Sequence, residues 1–138
     1  MKVHTTNYTN TFITVSDDCR ATRGEIPPEK NRVKTVAGIQ FDLVSNNPYR
    51  FTSDEILFQV YAERKGFTND ELPSAREQFF SKGQPCFRAS PLPKQYGWGV
   101  HNNPEGKVAL FGCETPGYEN LSTDPKLKIV KAMKSSKT

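Results

Sequence analysis

The pattern of hydrophobic and polar positions changes its period at Gly83, and this change predicts the fold class. Before Gly83, apolar residues recur mainly at intervals of three and four, which is typical of amphipathic helices. The exception is Thr11–Ser16, a β-branched and aromatic stretch that predicts a short strand. After Gly83, partly alternating stretches predict further strands. Together they predict one α+β domain over residues 1–138, with about four helices packed on a small, mainly antiparallel sheet.

The first and the last predicted helices begin beside prolines. A helix over about residues 28 to 46 is predicted to follow Pro27-Pro28, because proline suits a first helical turn, and Asn46-Asn47-Pro48 ends it. A final helix is predicted to start at Asp124-Pro125. Residues 126–138 are therefore expected to form a lysine-rich C-terminal helix and tail.

Two helices between them have clearer boundary signals. Thr52 and Glu55 have the spacing of a capping box, and Gly66 is the predicted C-cap of that helix. The next helix is predicted to run from about Asp70 to Lys82, with Asp70 as its N-cap. The short turn between the two helices predicts that they pack against each other.

Three strands are predicted after Gly83. They cover Pro85–Ala89, Tyr96–His101 and Lys107–Phe111. The stretch Asn102–Gly106 has the turn residues to join the last two strands as a hairpin.

The predicted strand Tyr96–His101 carries two glycines on one face. Alternation places Tyr96 and Trp98 on one side of the strand and Gly97, Gly99 and His101 on the other. The missing side chains leave a groove that a helix or a ligand can enter, and a packed helix is the favoured occupant.

The charge of the chain is concentrated near its C-terminus. The formal net charge is +4 and the pI is about 9.0, but five lysines follow Pro125 with no acid among them, and the rest is near neutral. A terminal lysine run is more often a solvated surface than a nucleic-acid arm. Weak nucleic-acid binding is therefore a minor hypothesis, and the residues that would support it are Lys126, Lys128, Lys131, Lys134 and Lys137.

The cysteines and the N-terminal stretch predict a cytoplasmic protein. Cys19, Cys86 and Cys113 are too few and too scattered for a disulfide framework or a zinc motif, so no cofactor or metal is predicted. The chain shows neither a signal-peptide h-region nor a long apolar run, which predicts reduced thiols and no membrane partner.

Cys86 and His101 are the candidate catalytic residues. A thiolate is the nucleophile of thiol-dependent enzymes, and His101 or the nearby Arg88 can stabilise it. The favoured alternative is that Cys86 is a small buried hydrophobic residue, which is the commoner role of a lone cysteine in an apolar strand. A metal-dependent enzyme using the same two residues is a further alternative. The residues leave open whether the chain is an enzyme.

The leading hypothesis is a non-enzymatic binding or interaction module that uses the 85–111 sheet. Its partner would be an unknown small molecule or protein, because basic and aromatic side chains cluster there without a complete catalytic motif. The same composition also fits an ordinary sheet with an aromatic core face. The candidate binding residues are Arg88, Lys94, Tyr96, Trp98 and His101.

Several blocks of the chain are familiar in combination. They are His4–Tyr8 with Asn10–Ile13, which read HTTNYxNTFI, then Asn47–Tyr49 with Thr52–Asp54, Phe79–Cys86 with its KGQPC ending, the YGWG of Tyr96–Gly99, and Gly106–Ala109. With these blocks the chain resembles a family of small uncharacterised proteins, mostly bacterial with some fungal members, known as a domain of unknown function. The resemblance implies no activity, cofactor or catalytic residue.

Overall fold

The computed structural model describes residues 4–135, which form helices on both sides of a four-stranded sheet. Among the helices of this range, none has both the length and the apolar character needed to cross a membrane. The elements in chain order are β1 (Thr11–Thr14), α1 (Val36–Ser45), α2 (Ser53–Lys65), α3 (Leu72–Phe79), a 3₁₀ turn (Phe87–Ala89), α4 (Pro91–Gln95), β2 (Trp98–Asn102), β3 (Val108–Gly112), α5 (Pro116–Ser122) and β4 (Lys128–Lys131).

The sheet has the strand order β3-β2-β1-β4. The pairs β3–β2 and β2–β1 are antiparallel, while β1 and β4 are parallel. The predicted α+β class and the mainly antiparallel sheet are therefore confirmed. The predicted strand at Thr11 and the hairpin between β2 and β3 are also present.

Alternating residues of the strands face two different layers. We call the side towards α1, α2 and α4 the inner face, where Ile13 and Val100 join the hydrophobic core. We call the other side the outer face, where Phe12 packs edge-on against Tyr118 of α5, with ring centroids 5.1 Å apart. Because β1 is central, its two apolar residues, Phe12 and Ile13, are both fully buried, one on each face.

Helix α2 has the boundaries that the sequence predicts. The Thr52 side chain accepts a hydrogen bond from the Glu55 backbone N–H at 3.2 Å, and the Glu55 carboxylate accepts one from the Thr52 N–H at 2.9 Å. Gly66 ends the helix with φ of 71°, in the left-handed region where glycine is favoured. The capping box and the C-cap are therefore confirmed.

Helix α1 begins later than predicted, although its end at Asn46 is confirmed. Lys30 and Val33 exchange backbone hydrogen bonds across a tight turn, and the two residues between them have φ of 53° and 64°. Positive φ at both central positions is the geometry of a hairpin-type turn and excludes a helix there. The helix start at residue 28 is therefore wrong, and Thr35 is the N-cap.

Helix α3 is shorter than the predicted range from Asp70 to Lys82, and Asp70 is not its cap. The N-cap is Glu71, whose carboxylate turns back to accept hydrogen bonds from the backbone and side chain of Thr68. These two bonds hold residues 68–71 in a separate turn before the helix, and the helix starts only at Leu72.

The predicted strand Pro85–Ala89 is wrong. Phe87–Ala89 forms a 3₁₀ turn, and α4 follows at Pro91. Ser90 is the reason, since its hydroxyl accepts a hydrogen bond from the Leu92 N–H at 3.1 Å and a proline follows it at the first helical position.

Within the described residues 126–135, the predicted C-terminal helix is also wrong. Lys128–Lys131 forms the edge strand β4, and α5, which the sequence analysis did not predict, precedes it. The Asp124 carboxylate caps a turn by accepting from the Lys126 N–H at 2.8 Å and does not start a helix. Residues 136–138, including Lys137, lie outside the described residues.

Candidate binding cavity

A cavity of about 510 Å³ opens between α1, α2 and the irregular segment 84–91. This volume lies within the range of cavities that hold small molecules in proteins, about 300 to 1,000 Å³. Its apolar wall consists of Val36, Leu57, Val60, Phe79, Ala89 and Pro91.

Two polar side chains at the inner end of the cavity, Gln40 and Ser90, satisfy each other. Both are buried, and the Ser90 hydroxyl donates to Gln40 Oε1 at 2.6 Å. Since buried polar atoms without partners are costly, this bond lets the inner end stay closed to water. It also ties α1 to the start of α4.

Cys86 lines the same cavity and is half-buried. Its Sγ lies 3.4 Å from the hydroxyl of Tyr8, within hydrogen-bond reach for sulfur. Burial raises the pKa of Tyr8, and the contact with Cys86 raises it further, while Arg88 acts in the opposite direction. The Tyr8 hydroxyl therefore keeps its proton at neutral pH and can donate it to the sulfur.

The N-terminal segment is held against α2, and this places Tyr8 beside Cys86. Asp54 in the first turn of α2 accepts hydrogen bonds from the Thr5 hydroxyl and from both the hydroxyl and N–H of Thr6, each at 2.7 Å. The Asp54 N–H donates in turn to Asn7 Oδ1 at 2.9 Å. These hydrogen bonds hold Thr5, Thr6 and Asn7 on the first turn of α2, and we call this set of contacts the clamp.

The Trp98 side chain already has partners within the protein. The Trp98 indole N–H donates to the carbonyl oxygen of Glu25 at 2.8 Å, and its ring packs against Phe41 with centroids 5.3 Å apart. A Cβ added at Gly24 would lie 2.8 Å from the same ring, so the preceding loop covers it closely. Tyr96 is half-buried against the core.

Arg88 and Lys94 have different surroundings. Arg88 Nε donates to the carbonyl oxygen of Lys131 at 2.7 Å, which fixes the end of β4. Lys94 and Tyr96 line a different recess, together with Asp18. The five candidate binding residues therefore do not form one surface.

His101 and Cys86 have different neighbours. His101 lies on the outer face, where its Nδ1 is hydrogen-bonded to the Tyr49 hydroxyl at 2.8 Å. Burial lowers the pKa of His101, with a smaller opposing effect from Asp124. Cys86 lies beside the helices of the inner face, with Tyr8 as its partner. The structure does not bring the two candidate catalytic residues together.

The glycine groove of β2 is filled from within the protein. A Cβ at Gly99 would lie 2.4 Å from Phe12 Cζ and 2.7 Å from Tyr118 Cε2. Tyr118 belongs to α5, so a helix occupies the groove, as the sequence favoured.

Cys19 and Cys113 approach each other at one end of the sheet. Their sulfur atoms lie 4.0 and 3.9 Å from the carbonyl oxygen of Ala21. Burial raises the pKa of the Cys113 thiol, and Cys19 nearby raises it further. Across residues 4–135, no three His, Cys, Asp or Glu side chains are grouped in a way that could hold a metal ion.

The described lysines near the C-terminus flank the free edge of the sheet. Lys128 and Lys131 are the first and last residues of β4, and Lys131 Nζ lies 2.9 Å from Asp17 Oδ1. Lysines on an edge strand discourage pairing with another chain, which is a structural role. Nucleic-acid binding through Lys126, Lys128, Lys131 and Lys134 stays a prediction.

Cys86 was predicted from the sequence as a candidate residue, whereas the cavity around it was not. Gln40 and Tyr8 had no local signal, because each acts through a contact far along the chain. Ser90-Pro91 did carry a signal, since serine followed by proline is typical of a helix start. Recognising it would have placed Cys86 in a connecting segment and not in a strand.

Comparison with known proteins identifies a family. A family model described as a family of unknown function (DUF6157) matches residues 3–138. The resemblance to a domain of unknown function is thereby confirmed. No match was found among curated proteins or among solved structures.

Proposed function

The chain belongs to the family of unknown function DUF6157, and we propose that it is a binding module whose cavity takes up a small, largely apolar molecule. The observation that supports this is the cavity of about 510 Å³ with an apolar wall and a satisfied polar pair at its inner end. The proposed site is the cavity and not the 85–111 sheet, because Arg88 and Trp98 already have partners within the protein.

The wall of the cavity suits an apolar ligand because several of its apolar side chains project from helices. Val36 belongs to α1, Leu57 and Val60 belong to α2, and Phe79 belongs to α3. A ligand that covered these side chains would remove apolar surface from water, at about 25 cal/mol for each Å².

Cys86 provides a direct test, since it is a thiol inside the proposed site. The eight-carbon alcohol 1-octanol should slow alkylation of Cys86 by iodoacetamide, while alkylation of Cys19, which is also half-buried, stays unchanged. Mass spectrometry of the labelled peptides separates the two rates. Unchanged Cys86 labelling in saturating 1-octanol would refute the proposal.

Two variants in which phenylalanine replaces an alanine control this test. Ala89 lines the cavity, so Ala89→Phe should fill it and remove the protection of Cys86 by 1-octanol. Ala62 lies on α2 outside the cavity lining, and Ala62→Phe should leave the protection intact. Equal protection in both variants would show that the alcohol acts elsewhere.

A thiol-dependent enzyme is the second candidate function, and the 3.4 Å contact between Tyr8 and Cys86 favours it. In this proposal Tyr8, with Arg88 nearby, takes the place that His101 had in the sequence hypothesis. Tyr8→Phe should then slow Cys86 alkylation at pH 7 about tenfold, because the thiolate loses a hydrogen-bond donor. His101→Ala should not change that rate. An unaltered rate in Tyr8→Phe would exclude an activated thiol.

The cytoplasm is the proposed location. Cys19, Cys86 and Cys113 are all free in the structure, and free thiols are typical of reducing compartments. Alkylation of the protein in intact cells should modify these cysteines without prior reduction. Recovery of a disulfide-bonded form would contradict this location.

A further inference from the structure

We infer that the ligand of this cavity is an amphiphilic anion, with an apolar body and a carboxylate or similar acidic head. This inference rests on the proposed function and adds the charge of the ligand to it. The observation behind it is the distribution of charged side chains around the cavity and around a second recess that adjoins it.

A second recess of about 560 Å³ lies beside the cavity. Tyr61, Phe79 and Gln84 line both, and we call the two recesses together the groove. The first part has the larger apolar surface, whereas the second is bordered mainly by polar side chains and by Lys82. A ligand that spans both would therefore meet apolar surroundings at one end and a polar, cationic environment at the other.

All the charged residues that line this groove are basic. Arg64 and Lys65 lie at the first part and Lys82 at the second, and no Asp or Glu lines either part. The ion pairs among residues 4–135 are Lys34–Asp42, Lys107–Glu105 and Lys131–Asp17. None of them includes Arg64, Lys65 or Lys82, so within the described residues these three cations have no carboxylate partner. The positive potential along the groove is therefore available to a bound anion.

Two of these cations also have a role within the helix, which the test must separate from ligand binding. Arg64 and Lys65 are in the last turn of α2, where positive charge is favourable beside the helix C-terminus. Lys65 Nζ also lies 5.9 Å from the centre of the Tyr61 ring. These roles predict an effect on stability, but they predict no preference between ligands of different charge.

Three probes with the same eight-carbon chain measure that preference: octanoate, 1-octanol and octyltrimethylammonium. Protection of Cys86 from iodoacetamide reports occupancy, and isothermal titration calorimetry gives the affinity of each. Octanoate should bind about tenfold more tightly than 1-octanol, and octyltrimethylammonium should bind most weakly, because exposed charges interact modestly across a protein surface. The preference should shrink as salt is added.

Neutral variants show which charges produce the preference. The double variant Arg64→Gln with Lys65→Gln should bind octanoate and 1-octanol with similar affinity, so that the preference for octanoate is lost. Lys82→Gln should reduce the preference by a smaller factor. Arg76→Gln is the matched control, because Arg76 stacks on Phe58 and Phe80 outside the groove lining and should leave the preference unchanged.

The outcomes separate the inference from the proposed function. Binding of octanoate and 1-octanol with equal affinity would overturn the anionic ligand and leave the binding module standing. Tighter binding of octyltrimethylammonium would also overturn it. Failure of all three probes to protect Cys86 would overturn the binding module itself. A tenfold preference that persists in the double variant would place the anion at another surface and overturn the assignment to this groove.

Discussion

The outer face of the sheet and the cavity beside the inner face differ in how completely their side chains are covered. On the outer face, Phe12 and Tyr118 fill the space above Gly99 so closely that no further atom fits. On the other side, α1 and α2 contact each other, yet about 510 Å³ stays open between them and segment 84–91. The fold is thus tightly packed where the sequence indicated a groove and open where it indicated a strand.

The difference follows from the kind of chain that covers each side. An aromatic side chain from α5 fits into the gap over a glycine strand, because a flat ring matches the missing Cβ atoms. Segment 84–91 contains Pro85 and Pro91 with only a 3₁₀ turn between them, so it cannot present the regular ridges that helices use for packing. Open volume therefore remains where irregular chain meets two helices.

The largest expected effect is at the outer face of the sheet. Gly99→Ala would place a Cβ 2.4 Å from Phe12 Cζ, and relieving this contact should lower the free energy of unfolding by about 3 kcal/mol. Urea denaturation measures this change. Gly83→Ala is the control, because its Cβ would meet only His4 Nδ1, at 3.9 Å. Similar stability of the two variants would show that the outer face is not closely packed.

A smaller loss is expected from the clamp beside the cavity. Asp54→Ala removes the acceptor of three hydrogen bonds and leaves the N–H of the buried Thr6 without its partner, which should cost about 2 kcal/mol. In the binding-module proposal Cys86 is not activated by Tyr8, so loosening the clamp should uncover the sulfur and make alkylation of Cys86 faster. Denaturation and labelling rates test both effects, with Asp70→Ala as an exposed control. Faster labelling of Cys113 to the same extent would indicate general unfolding and not a local opening.

A modest pH effect is expected from His101 on the outer face. Burial holds its pKa below the ordinary value of 6.5, so the unfolded chain takes up the proton first as the pH falls. His101 therefore destabilises the fold progressively below about pH 6.5, until the lowered pKa of the folded state is passed, and contributes no change above that range. Urea midpoints at pH 7.5 and 5.5 should differ more in the wild type than in His101→Gln. An equal pH dependence would contradict the lowered pKa.

The smallest effect is expected where the protein is open. Ala89→Phe adds a ring to the cavity, where space is available, so the free energy of unfolding should change by less than about 0.5 kcal/mol. Gly99→Ala adds only one carbon and should still cost far more stability, which directly contrasts the packed outer face with the open cavity. A loss from Ala89→Phe as large as that from Gly99→Ala would mean that the cavity is rigidly closed to new atoms.

Local signals in the sequence were sufficient for some elements and insufficient for others. Thr52, Glu55 and Gly66 act within one helix, so their pattern predicted α2 correctly. Ile129 and Val130 fit a helix or a strand equally well. They form a strand because β1, which is distant in sequence, offers backbone groups for parallel pairing. The turn at Lys30–Val33 depends on positive φ at Asn31 and Arg32, which the sequence pattern did not reveal.

The candidate site was predictable only in part, for the same reason. Cys86 attracted attention as a thiol, but its partner Tyr8 is 78 residues away and no spacing rule connects them. Gln40 and Ser90 meet across 50 residues. The cavity is a product of how α1, α2 and segment 84–91 pack, and packing geometry is not encoded in hydrophobic period alone.

The position of β1 has a consequence for how the chain folds during its synthesis. Thr11 of β1 bonds to Asn102 of β2, which is 91 residues away, and β1 has no earlier strand to pair with among the described residues. At typical rates of translation, roughly 5 to 20 s pass before that partner emerges. During this time the apolar Phe12 and Ile13, which the folded protein buries completely, are exposed on an unpaired strand. We therefore expect the newly made chain to depend on chaperones at this segment far more than the finished protein does.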